Sequence, residues 1–192
     1  MELYKDTPIF MFKTPKEWET WLSKNHDKFT AVWIKFAKKG SRAISITYDE
    51  ALEVALCYGW IDGLINAYNE QYYLTRFTPR KPKSVWSKRN VELVERLIRE
   101  GKMRPRGLAL IEAAKASGSW HAAYDGSKNM QIPEDFLKEL AKDKKAQAFF
   151  DSLTRINTYA IAWRIQTAKR PETRKKRMEN ILEMLKKGEK FH

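Results

Sequence analysis

The sequence predicts an α+β protein, with a small, mostly antiparallel sheet covered by helices over residues 1–127 and an all-helical C-terminal module over residues 128–192. Three observations carry this. Two β-prone stretches, residues 60–65 and 72–78, flank the polar link Tyr68-Asn69-Glu70-Gln71, which suits a hairpin. Helical stretches with recognisable start signals precede and follow them. From Pro133 onward the apolar residues recur only at helical spacing.

The first element is a helix opened by Thr14-Pro15-Lys16-Glu17, a capping box with proline in the first turn, and it carries Trp18, Trp21 and Leu22 at helical spacing. Residues 29–37 alternate in their central part, Val32, Ile34 and Phe36 against Ala31, Trp33 and Lys35, which predicts a strand leaving through Lys38-Lys39-Gly40. Thr47-Tyr48-Asp49-Glu50 repeats the capping box, and Leu52, Ala55 and Leu56 form the stripe of a helix ending near Gly59. The hairpin follows, with Asp62-Gly63 as an alternative turn. Pro79 and Pro82 stop its second strand. Ser84 or Ser87 then caps a helix that buries Val91, Val94, Leu97 and Ile98, and a short helix over residues 108–116 closes at Ser117-Gly118. The polar residues 124–129 read as a linker. Four helices complete the chain, over residues 133–141, 144–153, 156–167 and 171–187. In the last, Met178, Ile181, Leu182 and Leu185 share one apolar face.

Composition limits the function classes. With 43% hydrophobic residues the chain has enough apolar side chains for a packed core. The segment MELYKDTPIFMFKTPKEW has no basic stretch leading into an apolar run, and no run of about 18 apolar residues occurs, so a cytoplasmic protein without a membrane span is expected. One cysteine excludes an internal disulfide, and Cys57 with His26, His121 and His192 makes no zinc-ligand spacing, so neither metal nor cofactor is expected. The net charge of +13 is unevenly placed. Residues 1–75 hold 9 Lys/Arg and 10 Asp/Glu, residues 76–106 hold 11 and 3, and residues 128–192 hold 16 and 9. Such basic regions attract nucleic acid, lipid headgroups or a small anion, unless they are simply a solvated surface.

The densest set of candidate site residues lies between Ala55 and Asn90. Arg76, Arg80, Lys81, Lys83, Ser84, Trp86, Ser87, Lys88 and Arg89 surround two prolines that stiffen the backbone ahead of a helix start, a reasonable cradle for an anion. The plainer reading pairs Arg76 and Arg80 with Asp62 or Glu70 and makes Trp86 a core anchor. Asp62 is the acid to watch, as a general base or an orienting carboxylate, against a plain turn or salt bridge. Cys57, inside a helix with no histidine near in sequence, is a small buried hydrophobe rather than a nucleophile. The aromatic residues Tyr58, Trp60, Tyr72, Tyr73, Phe77, Trp86 and Trp120 suit base stacking in principle, but most recur at helix or strand periods and so fit a core. Farther on, Arg170, Arg174 and Arg177 share a helical face and outline a possible positive ridge.

Several of these stretches resemble one family. EWETWL at residues 17–22, VWIKFAKKG at 32–40, TYDEALEVALCYGWIDG at 47–63, FTPRKPKSVWSKRN at 77–90, GKMRPRGL at 101–108 and AKRPETRKKRMENILEMLKKG at 168–188 look like patterns of the YdeI/OmpD-associated, or bacteriocin-protection, family. The resemblance implies an OmdA-like helical module at residues 128–192 and a shared surface formed by Trp60, Asp62, Gly63, Arg76, Pro79, Arg80, Ser84, Trp86 and Asn90. The family's names imply protection against bacteriocins or cationic peptides, a phenotype rather than a reaction. The expectation is therefore a cytoplasmic binding or stress-protection protein with a pocket for an anionic ligand at Trp60, Asp62, Arg76, Arg80, Ser84, Trp86 and Asn90. One alternative is a nucleic-acid-binding protein using Lys88, Arg89, Arg170, Arg174 and Arg177. The other is an enzyme acting on a phosphorylated or carboxylated metabolite with Asp62 as base.

Overall fold

The computed structural model describes residues 2–82, 84–126 and 129–191. The chain forms two compact units: Met1–Ser84 with Asn90–His121, and Val85–Arg89 with Ala122–His192.

The first unit is built on a five-stranded sheet. Its strands are β1 (Leu3–Tyr4), β2 (Thr7–Phe10), β3 (Val32–Ala37), β4 (Trp60–Ala67) and β5 (Tyr72–Pro79), in the order β1-β2-β3-β5-β4. The predicted hairpin is present as β4–β5, and the predicted strand as β3 antiparallel to β5. Gly63 lies inside β4, where the register shifts between Asp62 and Ile65: Asp62 still pairs with Phe77, and Gly63 and Leu64 together oppose Arg76, so Asp62-Gly63 opens a bulge rather than a hairpin turn. Two short strands at the N-terminal end were not foreseen, and β2 pairs with β3 in parallel. Strands of two and four residues are too short to display an alternation.

Helix α1 (Pro15–Asn25) starts as the capping pattern predicts: the Thr14 hydroxyl accepts from Glu17 N at 3.2 Å, and the Glu17 carboxylate accepts from Lys13 N at 2.7 Å. It buries Trp18 and Leu22. Helix α2 (Tyr48–Cys57) carries the full reciprocal capping box between Thr47 and Glu50. Gly59, at φ +71°, then supplies the left-handed turn into β4. The main core holds Trp18, Phe36, Trp60 and Phe77, with the Trp18 ring edge-on to those of Trp60 and Phe77. On the opposite face of the sheet, Ile9, Trp33 and Leu74 make a smaller cluster under Tyr4 and Tyr68.

Helix α3 (Lys88–Arg99) begins directly after Ser87, one of its two predicted caps, and buries Val94 and Leu97. Ile98, expected on its buried side, is 39% exposed. Helix α4 (Pro105–Ala116) starts three residues earlier than its apolar residues suggest, because Pro105 fits the first helical position. The second unit contains α5 (Glu134–Leu140), α6 (Lys144–Asp151), α7 (Arg155–Gln166) and α8 (Pro171–Lys187), all four close to their predicted spans. Phe136, Leu140, Ala146, Ile161, Ile165, Ile181 and Leu185 form its core, and Gly188 at φ +72° ends α8.

The expected linker at residues 124–129 is ordered where it is described. Tyr124 bridges to Ser87, its N–H donating to Trp86 O and its carbonyl accepting from Lys88 N, each at 2.9 Å. A bridge of this size leaves no periodic trace in sequence. Residues 127 and 128 lie outside the described residues, as does Lys83. No helix among the described residues is long and apolar enough to cross a membrane.

Candidate functional site

The first unit holds a cleft of about 420 Å³, within the size range of small-molecule sites. Pro15, Lys16 and Glu19 of α1 form one wall, Glu50, Glu53, Val54, Cys57 and Tyr58 another, and Leu97, Lys102 and Arg104 the third. Capping sets the first wall, since Pro15 and Lys16 follow the Thr14 cap. The end of α2 sets the second. There the carbonyl of Cys57 accepts from Arg104 N at 3.0 Å and fastens the third wall to it.

The cleft has an apolar floor and a charged rim. Arg104 is the hinge of the rim: its guanidinium donates to Glu19 at 2.6 Å and lies 5.7 Å from the centre of the Tyr58 ring. Glu19 also accepts from Lys16 at 3.1 Å, and these bonds, Arg104's first, hold its carboxyl below the ordinary range. Glu53 accepts from Arg96 at 2.5 Å, while Glu100 binds both Arg96 and Lys102. Glu50 is kept low by its hydrogen bonds from Thr47. The floor includes the Cys57 thiol, which burial pushes up to about 11, so it stays protonated at neutral pH.

The residues expected to line an anion pocket are not assembled into this cleft. Trp60 is fully buried, its indole N–H donating to His26 O at 3.1 Å. Asp62 is half-buried opposite Phe77 and accepts from the Tyr48 hydroxyl at 2.7 Å. Arg76 lies opposite Trp33, one position from Phe77, and therefore on the other face of the sheet from Asp62. The two do not form the ion pair of the plainer reading: Asp62 is held by Tyr48, and Arg76 points from the opposite face of β5. Arg80 is only 6% exposed, and its backbone N–H donates to Gly59 O. Ser84 closes a turn by donating its N–H to Lys81 O, and Asn90 is half-buried in α3. Trp86 is 3% exposed and belongs to the second unit.

The proposed positive ridge is also altered. Arg174 pairs through both terminal nitrogens with Asp135, and the guanidinium of Arg177 turns back to donate to Arg164 O at 2.6 Å. Of the three, Arg170, the N-cap of α8, is exposed, and Arg174 and Arg177 are half-buried. Lys88 is ion-paired with Asp125 at 2.8 Å, while Arg89 is exposed. Among the described residues no group of three or more His, Cys, Asp or Glu side chains is placed to hold a metal.

Two family models match the chain. The model described as Domain of unknown function (DUF8412) covers residues 10–110, and that described as Bacteriocin-protection, YdeI or OmpD-Associated covers residues 129–188. The chain belongs to the first family and carries the second domain. No curated protein and no solved structure matches it. The DUF8412 range contains every residue lining the cleft, and the YdeI/OmpD-associated range contains α5 to α8. The latter match bears out the resemblance of the run from Ala168, whereas the motifs at residues 17–108 lie in the DUF8412 range. Sequence reasoning missed the cleft because its three walls come from segments that carry no common spacing.

Proposed function

We propose that the protein acts by binding, as a cytoplasmic protective protein whose ligand is a small amphipathic molecule with an anionic group. The observation that carries this reading is the cleft at α1, α2 and residues 97–104, where Val54, Tyr58 and Leu97 offer apolar surface beneath Lys16, Lys102 and Arg104. An anion entering beside Arg104 meets the guanidinium N–H groups not already given to Glu19 while the ligand's body covers the floor. Binding is favoured over catalysis because each cleft carboxylate is already engaged, Glu19 by Arg104 and Lys16, Glu53 by Arg96, and Glu50 by Thr47. A general base needs a carboxylate within reach of substrate and matched to its proton. Asp62 does not supply one, since it is tied to Tyr48 of α2 away from the cleft lining. The description of the YdeI/OmpD-associated domain as bacteriocin protection supports a protective role.

The test is a two-dimensional NMR titration of the full chain with a panel of small aliphatic and aromatic carboxylates and phosphate esters, repeated on Val54→Trp, which fills the floor. The expected result is saturable shifts at Val54, Tyr58, Leu97 and Arg104 that Val54→Trp abolishes. Shifts centred elsewhere, or unchanged by a folded Val54→Trp variant, would refute the reading.

A further inference from the structure

The second unit contains a pair of arginines that the fold brings together without an acid. Arg164 of α7 and Arg177 of α8 are both half-buried. The Arg164 guanidinium donates through Nη1 to Ala160 O at 3.0 Å and lies 3.7 Å from the centre of the Phe191 ring. The Arg177 guanidinium donates through Nη1 to Arg164 O, and to the Thr167 hydroxyl at 3.4 Å. All these acceptors are neutral. Among the described residues no carboxylate forms an ion pair with either side chain, although Arg174, one turn earlier on α8, is fully paired with Asp135.

This arrangement is electrostatically incomplete. Two like charges in partly desolvated positions cost free energy unless a counter-charge offsets them, and buried charges are ordinarily paired. Burial and the neighbouring Arg177 charge both pull the Arg164 guanidinium below its ordinary value. Each guanidinium has five N–H donors, and the bonds above use one nitrogen of each, which leaves Nε and Nη2 on both sides for an incoming oxyanion. The Phe191 ring fixes the plane of one fork, and the main-chain carbonyl of Arg164 fixes the other.

We infer that Arg164 and Arg177 form a binding site for a phosphate group within the YdeI/OmpD-associated domain, separate from the cleft of the DUF8412 region. Phosphate fits better than a carboxylate. Its charge of about −1.5 to −2 near neutral pH matches two guanidinium groups, and its three oxygens accept from two forks on different helices, whereas one arginine already saturates a carboxylate.

The experiment is a titration of the ¹⁵N-labelled full chain, followed at the arginine Nε–H signals. Inorganic phosphate, glycerol 3-phosphate and acetate are added in separate arms at constant ionic strength. Saturable shifts of Arg164 and Arg177 with either phosphate compound, and not with acetate, are expected; tighter binding of the ester assigns an organic phosphate, and tighter binding of inorganic phosphate a free ion. Arg164→Lys keeps the charge and loses the fork, and should weaken phosphate binding about tenfold or more. Because the Arg164 side chain also meets Ala160 O and the Phe191 ring, circular dichroism and the Tm of Arg164→Lys establish that the variant is folded before its affinity is read. A linear drift with salt, equal shifts with acetate, shifts at Arg170 or Arg174 instead, or an unchanged affinity in folded Arg164→Lys would each overturn the site.

Discussion

Replacing Gly107 by alanine tests the packing that holds the cleft open. Gly107 sits in the first turn of α4, and a Cβ built there would stand 2.4 Å from Cys57 O, 3.0 Å from Leu56 O and 2.8 Å from the tip of Met103. The methionine end can swing away, but the two carbonyls belong to the backbone at the end of α2. Helix α4 must retreat by the order of 1 Å, loosening Ile111 and Ala114 from the core and stretching the bond from Arg104 N to Cys57 O. Overpacking of this kind costs about 1–3 kcal/mol, and a backbone obstacle belongs at the upper end. The better helix propensity of alanine returns about 1 kcal/mol, so the net loss is about 2 kcal/mol. That predicts a fall in Tm of about 4–8 °C. Calorimetry of the variant is the assay, with Gly126→Ala as control because a Cβ there meets nothing within 4 Å. A Gly107→Ala Tm equal to or above that of the natural chain would refute the close approach of α4 and α2, and with it the geometry of the cleft wall.

Two further outcomes follow from the titrating groups. With its thiol pushed up to about 11, Cys57 should react with iodoacetamide at pH 8 at least about a hundredfold more slowly in the folded chain than in urea, and near-equal rates would show that the cleft floor is open and polar. The bond from Arg174 holds the Asp135 carboxyl below its ordinary range. A depressed carboxylate lends stability that is present above its unfolded value near about 4 and is lost as pH falls through the lower folded value. Asp135→Asn should therefore lower stability above about pH 4, where the pair contributes, and converge with the natural chain in acid, giving a flatter acid limb; an unchanged acid limb in urea titrations would rule out this linkage.

Much of the fold was legible because local chemistry and tertiary packing agree. The Thr14 and Thr47 caps, the alternation around Ile34 and the apolar face of α8 each use a period or a hydrogen bond contained within a few residues. What was not legible depends on partners far apart in sequence. The parallel register of Ile9 on Trp33 and the Ser87–Tyr124 bridge involve too few residues to leave a pattern. The candidate site suffered most. Asp62, Arg76, Arg80 and Trp86 crowd together in sequence, but strand alternation sends Asp62 and Arg76 to opposite faces, and burial removes Arg80 and Trp86 from a solvent-facing cradle.

The charge map shows why a one-dimensional reading exaggerated the basic regions. Residues 76–106 carry 11 Lys/Arg against 3 Asp/Glu, yet the fold supplies acids from the balanced N-terminal stretch: Glu53 reaches Arg96 from 43 residues away and Glu19 reaches Arg104 from 85. The same happens in the second unit, where Asp135 reaches Arg174 across 39 residues. Each pairing takes a cation out of the field that would attract a polyanion, and most such exposed pairs contribute little to stability. Their consequence is positional: they hold Arg104 over the Tyr58 ring and Glu53 beside Val54, turning a run of charge into the rim of a cleft. Arg164 and Arg177 depart from this pattern. They lack the carboxylate partner that Arg96 and Arg174 have, and they lie close enough for the Arg177 charge to act on Arg164; charge left uncompensated in a partly desolvated place is where an external anion gains most.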